Sequence, residues 1–264
     1  MKLEEAGYKA INIERLDEGV VIVEFNRPEK LNAINQELHD DLHRLFRDIQ
    51  HDATVRVAIL TGAGRGFCAG GDVTRMDSPT GSGIARDWSL IHTDPSIIDD
   101  VLMCDKPVIS MVNGPAVGLG ATIALLSDLC IAAEDARIGD THVSIGLVAG
   151  DGCASLMPLL VGPQRAKEFL LLGRLLTGRE AADYGLINYA VPAAELRGFT
   201  VDIATRIARQ PPFSVRATKA SVNRYVRLIA DHVQDAALAW ERLSMSLPEH
   251  HEAVKRFAAR KRAE

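Results

Sequence analysis

The sequence is poor in the features that several functional classes require. Cysteine occurs only four times in 264 residues, as Cys68, Cys104, Cys130 and Cys153. No two of them form a CxxC pair, which excludes a disulfide framework and a cysteine metal knot. Such sparse cysteines fit reduced thiols of a cytoplasmic protein. Aromatic residues make up 5%, too few for base-stacking platforms. There is no basic excess either. Lys and Arg number 30 against 35 Asp and Glu, a net charge of −5, which argues against nucleic acid as the main ligand. The uncharged stretch Pro107 to Ser127 has the length of a membrane span. It is broken by Asn113-Gly114-Pro115, Gly118 and Gly120, so it reads as a strand, a turn and a helix start. Met1 to Gly19 carries Glu4, Glu5, Glu14, Asp17 and Glu18 in place of the basic start and apolar run of a signal peptide. A cytoplasmic location with no membrane contact is expected.

What is present is an ordinary globular balance, 47% hydrophobic and 25% charged, on a chain long enough for one large domain or a core with an appendage. Ile11 to Glu14 and Val20 to Phe25 flank Asp17-Glu18-Gly19 as a hairpin. Asn35 reads as the N-cap of a helix whose stripe is Leu38, Leu42, Leu45, Phe46 and Ile49. Strands are expected over Val55 to Leu60, Val108 to Val112 and Leu129 to Ala133, with helices over Ile91 to Met103 and from Gly120 to Ser127. Gly66 to Val73 is a glycine-rich loop, and Asp77 to Gly83 is rich in Ser, Pro and Gly. After Pro163 the pattern becomes helical: Arg165 to Leu172, Arg179 to Gly185, Ala193 to Arg209, Ser214 to Met245 and Glu252 to Arg262. The expected organisation is an α/β core over 1–195 and a helical region over 196–264, without an internal repeat.

Three motifs invite a function and are set aside. His39 and His43 have the i, i+4 spacing of a zinc helix, but both lie off the apolar stripe and no third ligand accompanies them. No metal site is expected. Gly62-Ala63-Gly64-Arg65-Gly66 follows a strand, but a dinucleotide fingerprint needs glycine where Phe67 stands. His142-Val143-Ser144-Ile145-Gly146 lacks the first glycine of a nucleophile elbow.

Two other segments are more telling. Gly66-Phe67-Cys68-Ala69-Gly70-Gly71-Asp72-Val73 and Lys106-Pro107 through Gly120 each place a turn of small residues after a strand. Small residues let main-chain N–H groups approach a ligand closely. Two such turns facing each other would form a backbone oxyanion hole. Here the chain resembles the crotonase superfamily, the enoyl-CoA hydratase/isomerase group. Asn26-Arg27-Pro28-Glu29-Lys30-Leu31-Asn32-Ala33 is similar to its NRPxKxNA loop, Phe67 to Asp72 to its F-C/S-A-G-x-D loop, and Lys106 to Gly120 to its KPVIAAVNGxAxGGG segment. Leu176 to Arg179, Ala181-Ala182, Gly185-Leu186 and Val191-Pro192 resemble its later helix-and-turn region, and Ala217-Thr218-Lys219 with Glu252 to Arg262 its tail.

The resemblance implies a spiral of ββα units followed by a C-terminal helical trimerisation region, in a homotrimer or dimer of trimers. It implies an enzyme acting on an acyl-CoA thioester, with coenzyme A arriving as part of the substrate and no permanently bound cofactor. The implied hole donors are the N–H groups of Ala69 and Leu119. Lys30, Leu31, Ala33, Gly70, Gly71, Asp72 and Val73 fall where the family holds CoA. Phe257 and Lys261 fall where a tail helix closes over it, although Phe257 also fits a plain core contact. The family's two hydratase glutamates fall on Thr122 and His142, so both are replaced. His142, with an ordinary pKa of about 6.5, could move a proton near neutral pH. Asp151 is a candidate second group, and equally reads as a helix N-cap. Asp72 is expected to brace its loop, and Cys68 to be inert.

Overall fold

A computed structural model of the chain describes residues 2–72 and 97–263, with side chains described as far as Arg256. Strands β1 (Ile11–Arg15) and β2 (Val20–Phe25) form the expected antiparallel hairpin, with Ile11 opposite Phe25. From β2 the sheet continues in parallel through β3 (Val57–Gly62) and β4 (Val108–Val112). A second, three-stranded sheet is built from β5 (Ala116–Val117), β7 (Arg137–Gly139) and β8 (Leu176–Thr177), with β7 in the middle. The large sheet ends with β6 (Leu129–Ala133) and β9 (Tyr189–Val191), giving the order β1-β2-β3-β4-β6-β9. Every residue of β3 and β4 is buried. That is why these strands read as unbroken apolar runs: parallel strands are covered on both faces.

Helix α1 (Gln36–His51) starts where expected. The Asn35 side chain accepts from the Leu38 N–H at 3.0 Å, and the stripe Leu38, Leu42, Leu45, Phe46 and Ile49 is buried. Helix α2 (Ile97–Met103) is the described part of the helix expected from Ile91. Helix α3 (Leu119–Leu126) follows β5 directly, with Gly118 as its N-cap. Helix α4 spans Cys153–Leu172, much longer than the expected stretch from Arg165. The helical pattern is expected only after Pro163. The chain instead runs as two helical pieces that meet at Gly162, where φ 77 and ψ 158 break the helix. Helix α5 (Gly178–Asp183) begins with a capping box between Thr177 and Glu180.

Helix α6 (Leu196–Ala208) lies across β2, β3, β4 and β6 and buries Leu196, Thr200, Ala204 and Ala208. The long helix α7 (Pro212–Met245) packs on α4, and α8 (Pro248–Ala263) returns to the turn His142–Ile145. Among the described residues no helix is long and apolar enough to cross a membrane.

Candidate active site

One side of the site is main chain. The loops around Leu31 and Cys68 are zipped together, because Ala69 N–H donates to Leu31 O at 3.0 Å, Ile34 N–H to Gly70 O at 2.8 Å and Asp72 N–H to Ile34 O at 3.1 Å. The second loop is in turn zipped to β5, with Val117 N–H donating to Cys68 O at 3.0 Å. Asn32 is fully buried and clamps the bend, donating to Ala63 O at 3.0 Å and Gly66 O at 2.8 Å. Ile34 pairs with Gly71 as a parallel bridge, using the flanking residues Gly70 and Asp72. In that pattern Gly71's own amide points the other way. Among the described residues, the N–H groups of Gly71 and Leu119 have no acceptor. Leu119 N–H is also one of the orphan donors at the start of α3, where the helix dipole favours negative charge.

The other side is side chains. Gly118, at φ 55, brings the chain past His142 so closely that a Cβ there would lie 3.2 Å from His142 Cε1 and 3.8 Å from Asp151 Oδ2. Asp140 follows β7 directly, two residues before His142. Its carboxylate accepts from the His142 N–H at 2.9 Å and meets Nδ1 with both oxygens, at 2.8 and 2.9 Å. This contact assigns a proton to Nδ1 and turns Nε2 toward two further acids, Asp151 at 3.6 Å and Glu241 of α7 at 3.8 Å. Thr122 Oγ1 donates to the other Asp151 oxygen at 3.2 Å.

One cation among three acids sets the electrostatics. Burial works against a charged His142, but the Asp140 hydrogen bond and the charges of Asp151, Asp140 and Glu241 outweigh it and hold the ring up to about 10. Burial pushes the Asp151 carboxyl up from the usual range, while the imidazolium pulls it back. Glu241 is pushed up to about 7, first by burial and then by the charge of Asp151. The cluster therefore holds protons near neutral pH, as proton-transfer sites do. Asp140, Asp151 and Cys153 each bring one donor atom within 4.8 Å of the others. His142 Nδ1 meets both Asp140 oxygens, so that carboxylate is engaged by the imidazole, and burial pushes the Cys153 thiol up.

A family model for enoyl-CoA hydratase/isomerase matches residues 15–263. The chain belongs to the enoyl-CoA hydratase/isomerase family. It is 33% identical over 250 residues to the 1,2-epoxyphenylacetyl-CoA isomerase of Escherichia coli (strain K12), covering 94% of this chain and 95% of the relative. It is also 33% identical over 224 residues to a short-chain-enoyl-CoA hydratase of Clostridium acetobutylicum, covering 84% and 83% of the two chains. An enoyl-CoA hydratase/isomerase of Mycobacterium paratuberculosis superposes with a TM-score of 0.82 at 33% identity, over 94% of this chain and 98% of that one. The crotonase-type fold that the motifs implied is the fold observed, and the protein is an enzyme of this family.

Set against the family motifs, most of the expected residues converge and some do not. Leu31, Ala33, Gly70, Gly71 and Asp72 meet across the zipped loops beside Lys30, and Arg27 reaches Asp72 at 3.3 Å, so Asp72 braces the loop as expected. Leu119, Thr122, His142 and Asp151 share one site. Ala69 is corrected: its N–H is spent on Leu31 O, and the unspent amide is two residues on, at Gly71. The helix-cap reading of Asp151 is also corrected, because Gly152 is the N-cap of α4 and Asp151 turns to Thr122 and His142 instead. Cys68 is buried and its thiol is pushed up to about 12, which makes it inert. Val73, the Asp77 to Gly83 stretch, residues 91–96 of the helix expected from Ile91, and the side chains of Phe257 and Lys261 lie outside the described residues. Two residues were missed. Asp140 carries a local signal, an acid two residues before a histidine, which can bond both its backbone and its ring. Glu241 carries a weaker one, a polar stripe at helical spacing with Gln234 and Ser244.

Proposed function

We propose that this enzyme binds an acyl-CoA thioester, stabilises its enolate with main-chain N–H groups, and moves the α-proton with a side-chain cluster. The thioester oxygen would accept from the amides of Leu119 and Gly71, where negative charge developing in the transition state gains most. Asp151 would take the proton from the carbon next to the thioester. Thr122 fixes one oxygen of that carboxyl and the His142 ring faces the other. The CoA portion would follow the loops at Lys30, Leu31 and Ala33 and at Gly70 to Asp72. The tail helix with Phe257 and Lys261 would close over it.

A single observation carries this reading. Gly118 sits directly against both His142 and Asp151, and the next residue offers the unspent Leu119 N–H. A group that holds protons and a donor that receives negative charge therefore adjoin one backbone position. On the motif resemblance the family's two hydratase glutamates would fall on Thr122 and His142, which would leave the proton work to Asp151 and its neighbours. Isomerisation of the acyl chain then suits the site better than addition of water.

Expected results are clear-cut. Melting temperature should rise with a short-chain acyl-CoA by mass action, and the protein should exchange the α-protons of that acyl-CoA in deuterated water. A shift with NAD and none with any acyl-CoA would overturn the reading.

We also propose that the subunits assemble as a homotrimer or a dimer of trimers. Helix α7 leaves Phe213, Tyr225 and Trp240 82%, 63% and 61% exposed, apolar surface that a monomer would present to water. Light scattering should give a multiple of three chains at micromolar concentration, and a monomer would refute it.

A further inference from the structure

Helix α7 turns one face to the segment Leu147 to Ser155, and Ala230, Gln234, Ala237, Glu241 and Ser244 are all buried along it. The polar members of that face are matched, with one exception. Gln234 donates to Gly150 O and accepts from Ser155 Oγ at 3.0 Å, and Ser244 Oγ accepts from Val148 N–H at 3.2 Å. The Glu241 carboxyl accepts no hydrogen bond from a described residue, although the side chain is only 10% exposed. Its ion-pair partner is His142 Nε2, at 3.8 Å. A carboxyl in that position is costly unless it serves something. The approach is built into the chain. A Cβ on Gly150 would stand 2.5 Å from Glu241 Oε2 and 2.6 Å from Ala237 O, so glycine is needed there for the helix to deliver this group.

The shared ring nitrogen is the second observation. Asp151 Oδ2 approaches His142 Nε2 at 3.6 Å and would lie 3.8 Å from a Cβ on Gly118, while Glu241 Oε1, carried by α7, approaches the same Nε2 at 3.8 Å. Two carboxyls from different elements therefore meet one ring nitrogen.

We propose that Glu241 is the second acid–base group of this site: Asp151 serves the acyl carbon next to the thioester, Glu241 serves the γ-carbon further out, and His142 Nε2 returns the proton between them. The proposal rests on the acyl-CoA reading given above. With a 3-enoyl thioester, Asp151 removes an α-proton. The C–H electron pair becomes a double bond to the carbonyl carbon, and the carbonyl π pair moves onto oxygen. The dienolate then collapses. The oxygen pair restores the carbonyl, the double bond moves from β,γ to α,β, and the γ-carbon takes the proton of neutral Glu241. Asp151 is left protonated and Glu241 ionised. The imidazolium gives its Nε2 proton to Glu241 and receives the one on Asp151, while Nδ1–H stays on Asp140. No proton is gained or lost over the cycle. Burial holds the Glu241 carboxyl up at about 7, so both of its forms are accessible near neutral pH.

The test uses the full-length protein with trans-3-hexenoyl-CoA in deuterated water. For Glu241→Gln, conversion to the 2-enoyl isomer should fall by about 10² to 10⁴-fold, while α-deuteration of the substrate stays detectable, because Asp151 is intact. Glu241→Asp, which keeps the carboxyl on a shorter arm, should restore part of the isomerisation. Isomerisation by Glu241→Gln within about threefold of wild type would overturn the proposal. So would equal loss of isomerisation and α-deuteration in a Glu241→Gln protein of unchanged melting temperature. If wild type performs neither reaction on any acyl-CoA, the acyl-CoA reading falls as well, which separates the two failures.

Discussion

The two halves of the site are made by different means. The proposed oxyanion half is main chain, two loops locked to each other and to β5 by backbone hydrogen bonds, with the Gly71 and Leu119 N–H groups left over. The proton half is four side chains, Asp140, His142, Asp151 and Glu241, of which the last comes from a helix about ninety residues further along the chain. Main-chain donors survive almost any conservative substitution as long as the loop keeps its shape. A cluster of buried acids around one imidazole depends on every member. Mutations should therefore separate the halves cleanly.

The largest expected effect is on the proton half. Asp151→Asn removes the base proposed for the α-carbon, and α-proton exchange should drop by about 10² to 10⁴-fold, or roughly 3–5 kcal/mol of barrier. Ligand-induced melting shifts should remain, because the loops at Leu31 and Gly71 are untouched. Exchange that survives Asp151→Asn would move the base elsewhere in the cluster.

Asp140→Asn comes next. His142 is held above its unfolded pKa, so its contribution to stability is complete below about pH 6.5 and is lost as the pH rises through about 10. The variant lacks the main source of that shift and leaves the other buried charges less compensated. It should be less stable than wild type by about 2–4 kcal/mol at pH 6, with the gap narrowing toward pH 10. Urea unfolding at the two pH values measures this, and a gap independent of pH would contradict it.

Gly150→Ala tests how closely α7 must approach. The added methyl would meet Glu241 and the Ala237 carbonyl, and overpacking of that kind costs about 1–3 kcal/mol. A neutral substitution would show that the helix is free to shift.

The smallest effect separates Glu241 from the rest. Its carboxyl is raised from an ordinary 4.5 to about 7, so the folded state binds the proton more tightly than the unfolded chain. Stability from this group is therefore lost as the pH rises from about 4.5 to 7. In urea unfolding Glu241→Gln should match wild type near pH 4.5 and be the more stable of the two at pH 8, and a difference independent of pH would contradict this.

The same division marks what could be read from the sequence. The backbone half is local, and short motifs record local geometry: the small residues around Gly70 and Gly118 by themselves mark close-packed turns. The choice between Ala69 and Gly71 was not legible, because it depends on which amide is consumed by pairing with Leu31 and Ile34, a contact across about forty residues. The helices of α1 and α7 were legible from their periodicity. Helix α4 was not, because its prolines disguise two pieces that tertiary packing joins end to end. In the proton half, Thr122, His142 and Asp151 were found by resemblance. Glu241 was not, because an acid on a long polar helix is ordinarily solvated, and only packing against Gly150 removes it from water.

The central claim is that Asp140 and the two acids at Nε2 keep His142 as an imidazolium through neutral pH. Heteronuclear NMR of the His142 ring across the pH range tests it directly. The account predicts protons on both ring nitrogens at about pH 8, with titration only well above that. A ring that titrates near 6.5, its value in an unstructured chain, would contradict it and leave Asp151 without the charge that tunes it.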